Sequence, residues 1–265
     1  METVKSRDGT SIAFDQLGGG SGPPIILVDG ALCHRKFGPS GPLAEQLKGD
    51  FTVFTYDRRG RGDSGDTPPY DVAREIEDLG AVIHAAGGSA HVFGISSGAA
   101  LALEAANRGL AIDKLVLYEA PFIVDDTRPP IADDFLARLK AHIAAGRRSE
   151  AVKMFMKLVG VPGFFIALMR FMPSWSKLKQ VAPTLVYDIT IVEGHQKGKP
   201  LPRSRWSVTM PVLVADGGKS PVWMRNAMRS LAEVLPNAEY RTLEGQTHML
   251  SAKAMAPVLV QFCKR

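Results

Sequence analysis

The sequence predicts an α/β protein: a mostly parallel central sheet with helices on both faces, interrupted once by a helical insertion. Three observations carry that expectation. Uninterrupted apolar runs of strand length, such as Ile25-Ile26-Leu27-Val28, suit strands buried on both faces. Segments of helical period alternate with them, as at Val72, Ile76, Leu79, Val82 and Ile83. Between residues 121 and 210 the alternation stops and no convincing buried strand occurs.

Glu2 to Leu17 reads as a hairpin turning at Asp8-Gly9. The glycine-rich residues 17–24, closed by Pro23-Pro24, read as a loop. The strand at 25–28 runs directly into Asp29-Gly30-Ala31, and a helix is expected over 42–48. A second buried strand at 51–55 and a helix over 70–86 follow. Next come a strand entering Gly94, a helix over 97–108, and a strand over 114–118 that ends in Glu119-Ala120-Pro121. The insertion offers helices at 131–145, 149–159, 164–171 and 175–193, divided by Pro162, Pro173 and Pro183. After Pro211 the alternation resumes with strand 212–215, helix 222–235, strand 238–243 and helix 251–263. Residues 1–120 and 211–265 are therefore expected to build one core, with 121–210 inserted between its halves.

Composition narrows the class. With 45% hydrophobic and 22% charged residues over 265 positions, the chain resembles an ordinary globular protein large enough for one sizeable core. Met1 to Arg7 is charged, so no signal peptide is expected. The longest apolar stretch, 159–172, is broken by Gly160, Pro162, Gly163 and Arg170 and falls short of the ~18–20 residues a membrane span needs. Cys33 and Cys263, the two cysteines, are expected as free thiols in a reducing cytoplasm. The net charge is +5, but Arg138, Lys140, Arg147, Arg148, Lys153 and Lys157 are scattered and read as a solvated helix face. Neither nucleic acid nor a membrane is expected as a partner.

The chemistry centres on Ala90-His91-Val92-Phe93-Gly94-Ile95-Ser96-Ser97-Gly98-Ala99-Ala100. A strand ends in G-x-S-x-G and opens at once into a small-residue helix, the context a nucleophile elbow requires. Ser96 then stands at the apex, beside the free N–H groups of the helix that follows. A serine hydroxyl needs a base, and the base needs an orienting group. His248, in Gly245-Gln246-Thr247-His248 between a strand and a helix, is the histidine so placed. His34, His84, His91, His142 and His195 lack such a setting.

Two motifs are set aside. Gly60-Arg61-Gly62-Asp63-Ser64-Gly65 spells G-x-G-x-x-G, but Pro68-Pro69 follows where a dinucleotide-binding helix would have to open. Arg61-Gly62-Asp63 spells an adhesion tripeptide within a structural loop. No His/Cys/carboxylate cluster has ligand spacing, so neither metal nor cofactor is expected.

Four ordered landmarks resemble the α/β-hydrolase superfamily nearly end to end: Asp29-Gly30 at the usual His-Gly position, Tyr56-Asp57-Arg58-Arg59-Gly60-Arg61-Gly62-Asp63-Ser64-Gly65, the elbow at Ser96, and His248 after the last strand. The resemblance implies that 121–210 forms a lid. It also implies an oxyanion hole from the Ser97 N–H and an N–H at Gly30 or Ala31. Asp29 could point away, accept backbone N–H groups or meet a substrate hydroxyl. The chain departs from the family at the acid. The G-x-x-D-P pattern after the strand at 212–215 is here Gly217-Gly218-Lys219-Ser220-Pro221, with Ser220 in the aspartate slot. Asp216 and Glu119 are the remaining candidates, and Glu119 is preferred, because a carboxylate ending an apolar strand is costly to bury unpaired. Haloalkane dehalogenases and zearalenone lactonases place their acid there. The zearalenone-type lactonases resemble this chain further in Asp29-Gly30, Ser96-Ser97-Gly98 and Glu119-Ala120-Pro121.

The implied function is a cofactor-independent serine hydrolase acting on an apolar ester or lactone through Ser96, His248 and Glu119. Met154, Phe155, Met156, Phe164, Phe165, Met169, Phe171, Met172 and Trp175 are expected mostly to pack onto the sheet, with some walling an apolar substrate. The alternatives are a ligand-binding module with a vestigial site, or another reaction on the same elbow, such as acyl transfer or carbon–carbon bond hydrolysis. Dehalogenase and epoxide-hydrolase chemistry would need an aspartate where Ser96 stands. Cys33 lacks an elbow and reads as a packed thiol.

Overall fold

The computed structural model describes residues 1–19 and 22–265. Part of the expected 17–24 loop, residues 20 and 21, lies outside them.

Among the described residues eight strands form one sheet: β1 (Glu2–Lys5), β2 (Ser11–Leu17), β3 (Pro24–Val28), β4 (Thr52–Tyr56), β5 (Ala90–Ile95), β6 (Ile112–Tyr118), β7 (Val212–Gly217) and β8 (Ala238–Leu243), in the order β1-β2-β4-β3-β5-β6-β7-β8. The β1–β2 and β2–β4 pairs are antiparallel and the rest are parallel. The apolar runs of β3 to β7 follow from burial on both faces. Ile26 and Val28 face one apolar cluster while Ile25 and Leu27 face the other. The first face is covered by α2 (Val72–Ala85), α3 (Ser97–Asn107) and α9 (Val222–Val234); the second by α1 (Ser40–Leu47) and α10 (Ala252–Cys263). Asp71 caps α2 by accepting the Ala73 N–H at 2.7 Å. In α3 the buried residues include Ala99, Ala100, Ala102, Ala105 and Ala106, small enough for a close approach to the sheet.

Between β6 and β7 run α4 (Phe135–Ala144), α5 (Arg148–Leu158), α6 (Gly163–Met169), α7 (Pro173–Val181), a 3₁₀ turn at Ala182–Thr184 and α8 (Leu185–Val192). Pro183 divides what the sequence reads as one helix over 175–193, since proline interrupts the backbone ladder. One expectation needs correcting. The methionine- and aromatic-rich side chains do not mostly pack onto the sheet. The insertion has its own core, in which Trp175 packs with Leu139, Val152, Ile166, Leu178 and Leu185. Met154, Phe155, Met156 and Met169 lie at the edge of that core, whereas Phe164, Phe165, Phe171 and Met172 are exposed. The seven-residue α6 buries one side chain, Ile166.

No helix among the described residues is long and apolar enough to cross a membrane.

Candidate active site

β5 delivers Ser96 to the carboxyl edge of the sheet in a left-handed backbone conformation, φ 58° and ψ −129°. Only tight packing holds a non-glycine residue there. The residues two positions to either side of Ser96 must lack side chains. A Cβ on Gly98 would lie 2.2 Å from the Val28 carbonyl oxygen, and one on Gly94 would lie 2.5 Å from that of Gly98. Gly30 presses on the serine from the next strand end; its Cβ would meet Ser96 Cβ at 2.8 Å and Oγ at 3.3 Å.

Parallel register then places the acid. Ile95 pairs with Tyr118, and the Ser96 N–H donates to the Tyr118 carbonyl at 2.9 Å, so Glu119 stands beside Ser96 at the adjoining strand end. Glu119 is fully buried and, like Ser96, has a positive φ of 49°. Its Oε1 accepts the Gly217 N–H at 2.7 Å, and its Oε2 bonds His248 Nδ1 at 2.8 Å. The preceding residue helps hold the same loop: Tyr118 donates its hydroxyl to the Thr247 carbonyl at 2.8 Å. An ionised carboxylate only accepts, so Nδ1 carries the hydrogen and the lone pair of the neutral ring lies on Nε2. The His248 side chain is 37% exposed. No hydrogen bond joins Ser96 to His248 among the described residues; such contacts commonly tighten only when substrate arrives.

The other acidic positions fall elsewhere. Asp216, at the end of β7, accepts the Tyr240 hydroxyl at 2.6 Å on Oδ2, while its buried Oδ1 has no partner. Burial raises its carboxyl above the ordinary value despite that bond. Ser220 is buried with its Oγ unpartnered. Asp29 turns toward α1, where Ser40 donates to its Oδ1 at 2.7 Å. Burial raises Asp29 to about 6, against the opposing pull of Ser40, Arg61 and Arg58. Cys33 is a free thiol raised to about 12 by burial and by the Asp29 charge, which leaves it unreactive.

The Ser97 N–H opens α3, and neither it nor the Ala31 N–H has an acceptor among the described residues. Gly30, the third residue in the expected oxyanion hole, offers its carbonyl to Arg61 Nη1 at 2.6 Å. Behind these donors lies a cluster that sequence reasoning did not find. Arg58 and Arg61 are fully buried and meet Glu75, Asp188 and the Ser97 hydroxyl. Burial alone would raise the Asp188 carboxyl, but Arg61 and Arg58 hold it below its usual value. Its available signal was an aspartate inside the otherwise apolar Leu185-Val186-Tyr187-Asp188-Ile189, together with three arginines within four residues.

Two open depressions of about 500 and 580 Å³, around Arg74 and around Arg148, include none of Ser96, Glu119 or His248. Among the described residues no group of three or more His, Cys, Asp or Glu side chains is arranged to hold a metal ion.

An eight-stranded, mostly parallel sheet with a serine at a strained strand-to-helix turn, and a histidine and a carboxylate converging at the same edge, defines the α/β-hydrolase class. The family model described as "Alpha/beta hydrolase family" matches residues 18–259, and the chain belongs to that family. It is similar to an alpha/beta hydrolase from Sphaerobacter thermophilus, with 52% identity over 99% of this chain and 100% of that one and a TM-score of 0.90. A hydrolase from Pseudomonas aeruginosa shares the fold at 21% identity, covering 100% and 98% of the two chains, with a TM-score of 0.73. An enol-lactonase from Burkholderia xenovorans does so at 18% identity, covering 100% of each chain, with a TM-score of 0.71.

Proposed function

We propose that the protein is a cofactor-independent serine hydrolase that cleaves a carboxylic ester or lactone through an acyl-enzyme. The observation that carries this reading is the 2.8 Å bond from Glu119 Oε2 to His248 Nδ1, made one strand from Ser96. Ser96 Oγ attacks the carbonyl carbon as His248 Nε2 takes its proton. Glu119 keeps the ring in the required tautomer and stabilises the imidazolium. The oxygen that becomes negative faces the N–H groups of Ser97 and Ala31, each such donor being worth on the order of 10²–10³ in rate. His248 returns the proton to the leaving alkoxide, and water attacks the acyl-enzyme by the same route.

An apolar substrate is supported by Leu32, next to Ala31, which is buried within the insertion's own apolar cluster. The oxyanion turn thus borders hydrocarbon at Ala31 and Leu32, a setting for a lactone or a medium acyl chain. Serine at position 220 favours a binding-only protein just as long as no other acid meets the imidazole; Glu119 meets it. Turnover of short p-nitrophenyl esters and labelling by a fluorophosphonate test the reading. Both are expected for the parent protein and neither for Ser96→Ala. An active, labelled Ser96→Ala variant would remove the serine from the mechanism.

A further inference from the structure

The helix α8 carries a single charged residue, an acid placed where acids are least welcome. Asp188 is 2% exposed and accepts four short bonds. Its Oδ1 takes the Ser97 hydroxyl at 2.7 Å, Arg58 Nη1 at 2.8 Å and Arg61 Nη2 at 2.7 Å; its Oδ2 takes Arg61 Nη2 at 2.8 Å. The same arginines reach the opposite side of the serine. Arg61 Nη1 donates to the carbonyls of Gly30 at 2.6 Å and Cys33 at 3.3 Å, bracketing the turn that carries the Ala31 N–H. Arg58 Nη1 reaches the Asp29 carbonyl at 3.3 Å.

We propose that Asp188 is a positioning residue: through Ser97 and Arg61, the helical insertion sets both backbone walls of the oxyanion hole. The inference rests on the serine-hydrolase reading and adds a role for the insertion beyond covering the substrate.

The charge pattern supports it. Arg58 and Arg61 are balanced by Glu75 and Asp188. A buried ion cluster is often no more stabilising than apolar packing of the same volume, so stability is a weak reason for this one. What the cluster does that leucines could not is bond the elbow helix and the Gly30 turn at the same time. Misplacing a transition-state donor by about an ångström is costly in rate.

The molecule carries its own control. Arg59 and Asp78 are equally buried and paired through two bonds of 2.7 Å. The remaining bonds of Arg59 go to Asp8 and the Arg74 carbonyl, away from the oxyanion turn.

The test compares Asp188→Asn, Ser97→Ala and Asp78→Asn in the full chain, reading kcat, KM, the rate of fluorophosphonate labelling and Tm. Ser97→Ala keeps the backbone N–H and both arginine–Asp188 pairs, losing only the hydroxyl's bonds to Asp188 and to Arg58. It decides the matter if Asp188→Asn does not fold. Asp188→Asn is expected to lower kcat and the labelling rate by more than about tenfold, with KM within about threefold. Ser97→Ala is expected to show the same split, with a roughly three- to tenfold fall in kcat. Asp78→Asn is expected to lower Tm while kcat stays within about twofold. A reactive parent whose Ser97→Ala variant, and Asp188→Asn where it folds, keep its kcat and labelling rate overturns this inference alone. So does an equal loss of kcat in Asp78→Asn. A parent that neither turns over nor labels overturns the serine-hydrolase reading, and the inference with it.

Discussion

The ends of β6 and β7 lie side by side, and each carries a buried acid at the edge where the serine stands. Glu119 leaves β6 with a positive φ, so its carboxylate swings onto the His248 loop and bonds the ring. Asp216 lies within the regular register of β7, opposite Thr242 of β8, and its carboxylate bonds the Tyr240 hydroxyl. The last residue of β7, Gly217, just before the turn where the superfamily commonly keeps its acid, contributes a backbone N–H to Glu119 instead. Two acids of nearly equal burial thus differ in what they can do because of backbone direction, not chemistry.

The largest expected effect removes what both candidate acids would serve. Ser96→Ala should lower kcat on a p-nitrophenyl ester by on the order of 10⁴–10⁶ while leaving Tm nearly unchanged. Next is the acid itself. Glu119→Gln keeps the shape but loses the charge, and gains an amide that can favour the wrong tautomer; a fall of roughly 10³–10⁴ in kcat is expected. Asp216→Asn should change kcat by less than about threefold. The reverse ranking of these two variants would move the catalytic acid to β7.

Relocation sharpens the contrast. Ser220 is buried and its Oγ has no partner among the described residues, so replacing it breaks no side-chain bond. Adding Ser220→Asp to Glu119→Gln should restore more than about tenfold of the lost kcat, as a charge again faces the imidazole. Steady-state kinetics of the single and double variants checks this, and no recovery would show that the β7 turn no longer points at the ring.

The smallest effect is on stability. Burial raises the Asp216 carboxyl in the folded chain above its unfolded value. The folded state therefore binds a proton that the unfolded state has released. Stability from this group is fullest below the unfolded value and is lost as pH rises through the folded one. Asp216→Asn removes that loss, so its Tm should exceed the parent's by roughly 1–4 °C at pH 8, with the gap closing toward pH 4. A gap that widened in acid would reverse the sign and show that the ionised form is the stabilised one.

Much of this was legible before any coordinates. The strands, the elbow and His248 as its partner were read from residue order and motif context, and Glu119 was preferred to Asp216 on the cost of burying it unpaired and on a family resemblance. Of the six basic residues expected on a solvated face, Arg138, Lys140, Arg147, Arg148 and Lys157 are exposed, whereas Lys153 is half-buried and paired with Glu150. What escaped was long-range. The Asp188 contacts to Ser97 and Arg61 span 91 and 127 residues; the lone aspartate and the clustered arginines mark the groups, but nothing in the neighbouring sequence pairs them. The exposed Phe164, Phe165 and Phe171 also escaped, because an apolar residue in a short helix has the same local appearance whether it faces inward or outward.

By itself the sequence determined the alternation of strand and helix, the interruption after Pro121 and the glycine-flanked serine. Each of these depends on periodicity or on backbone space, which are properties of neighbouring residues. Only the tertiary structure decided which carboxylate reaches the imidazole, where Asp29 points, and that two buried arginines tie the insertion to the turn at Gly30. Those outcomes depend on the direction of a side chain as it leaves its strand and on which distant charge fills a space too dry to leave an ion unpaired.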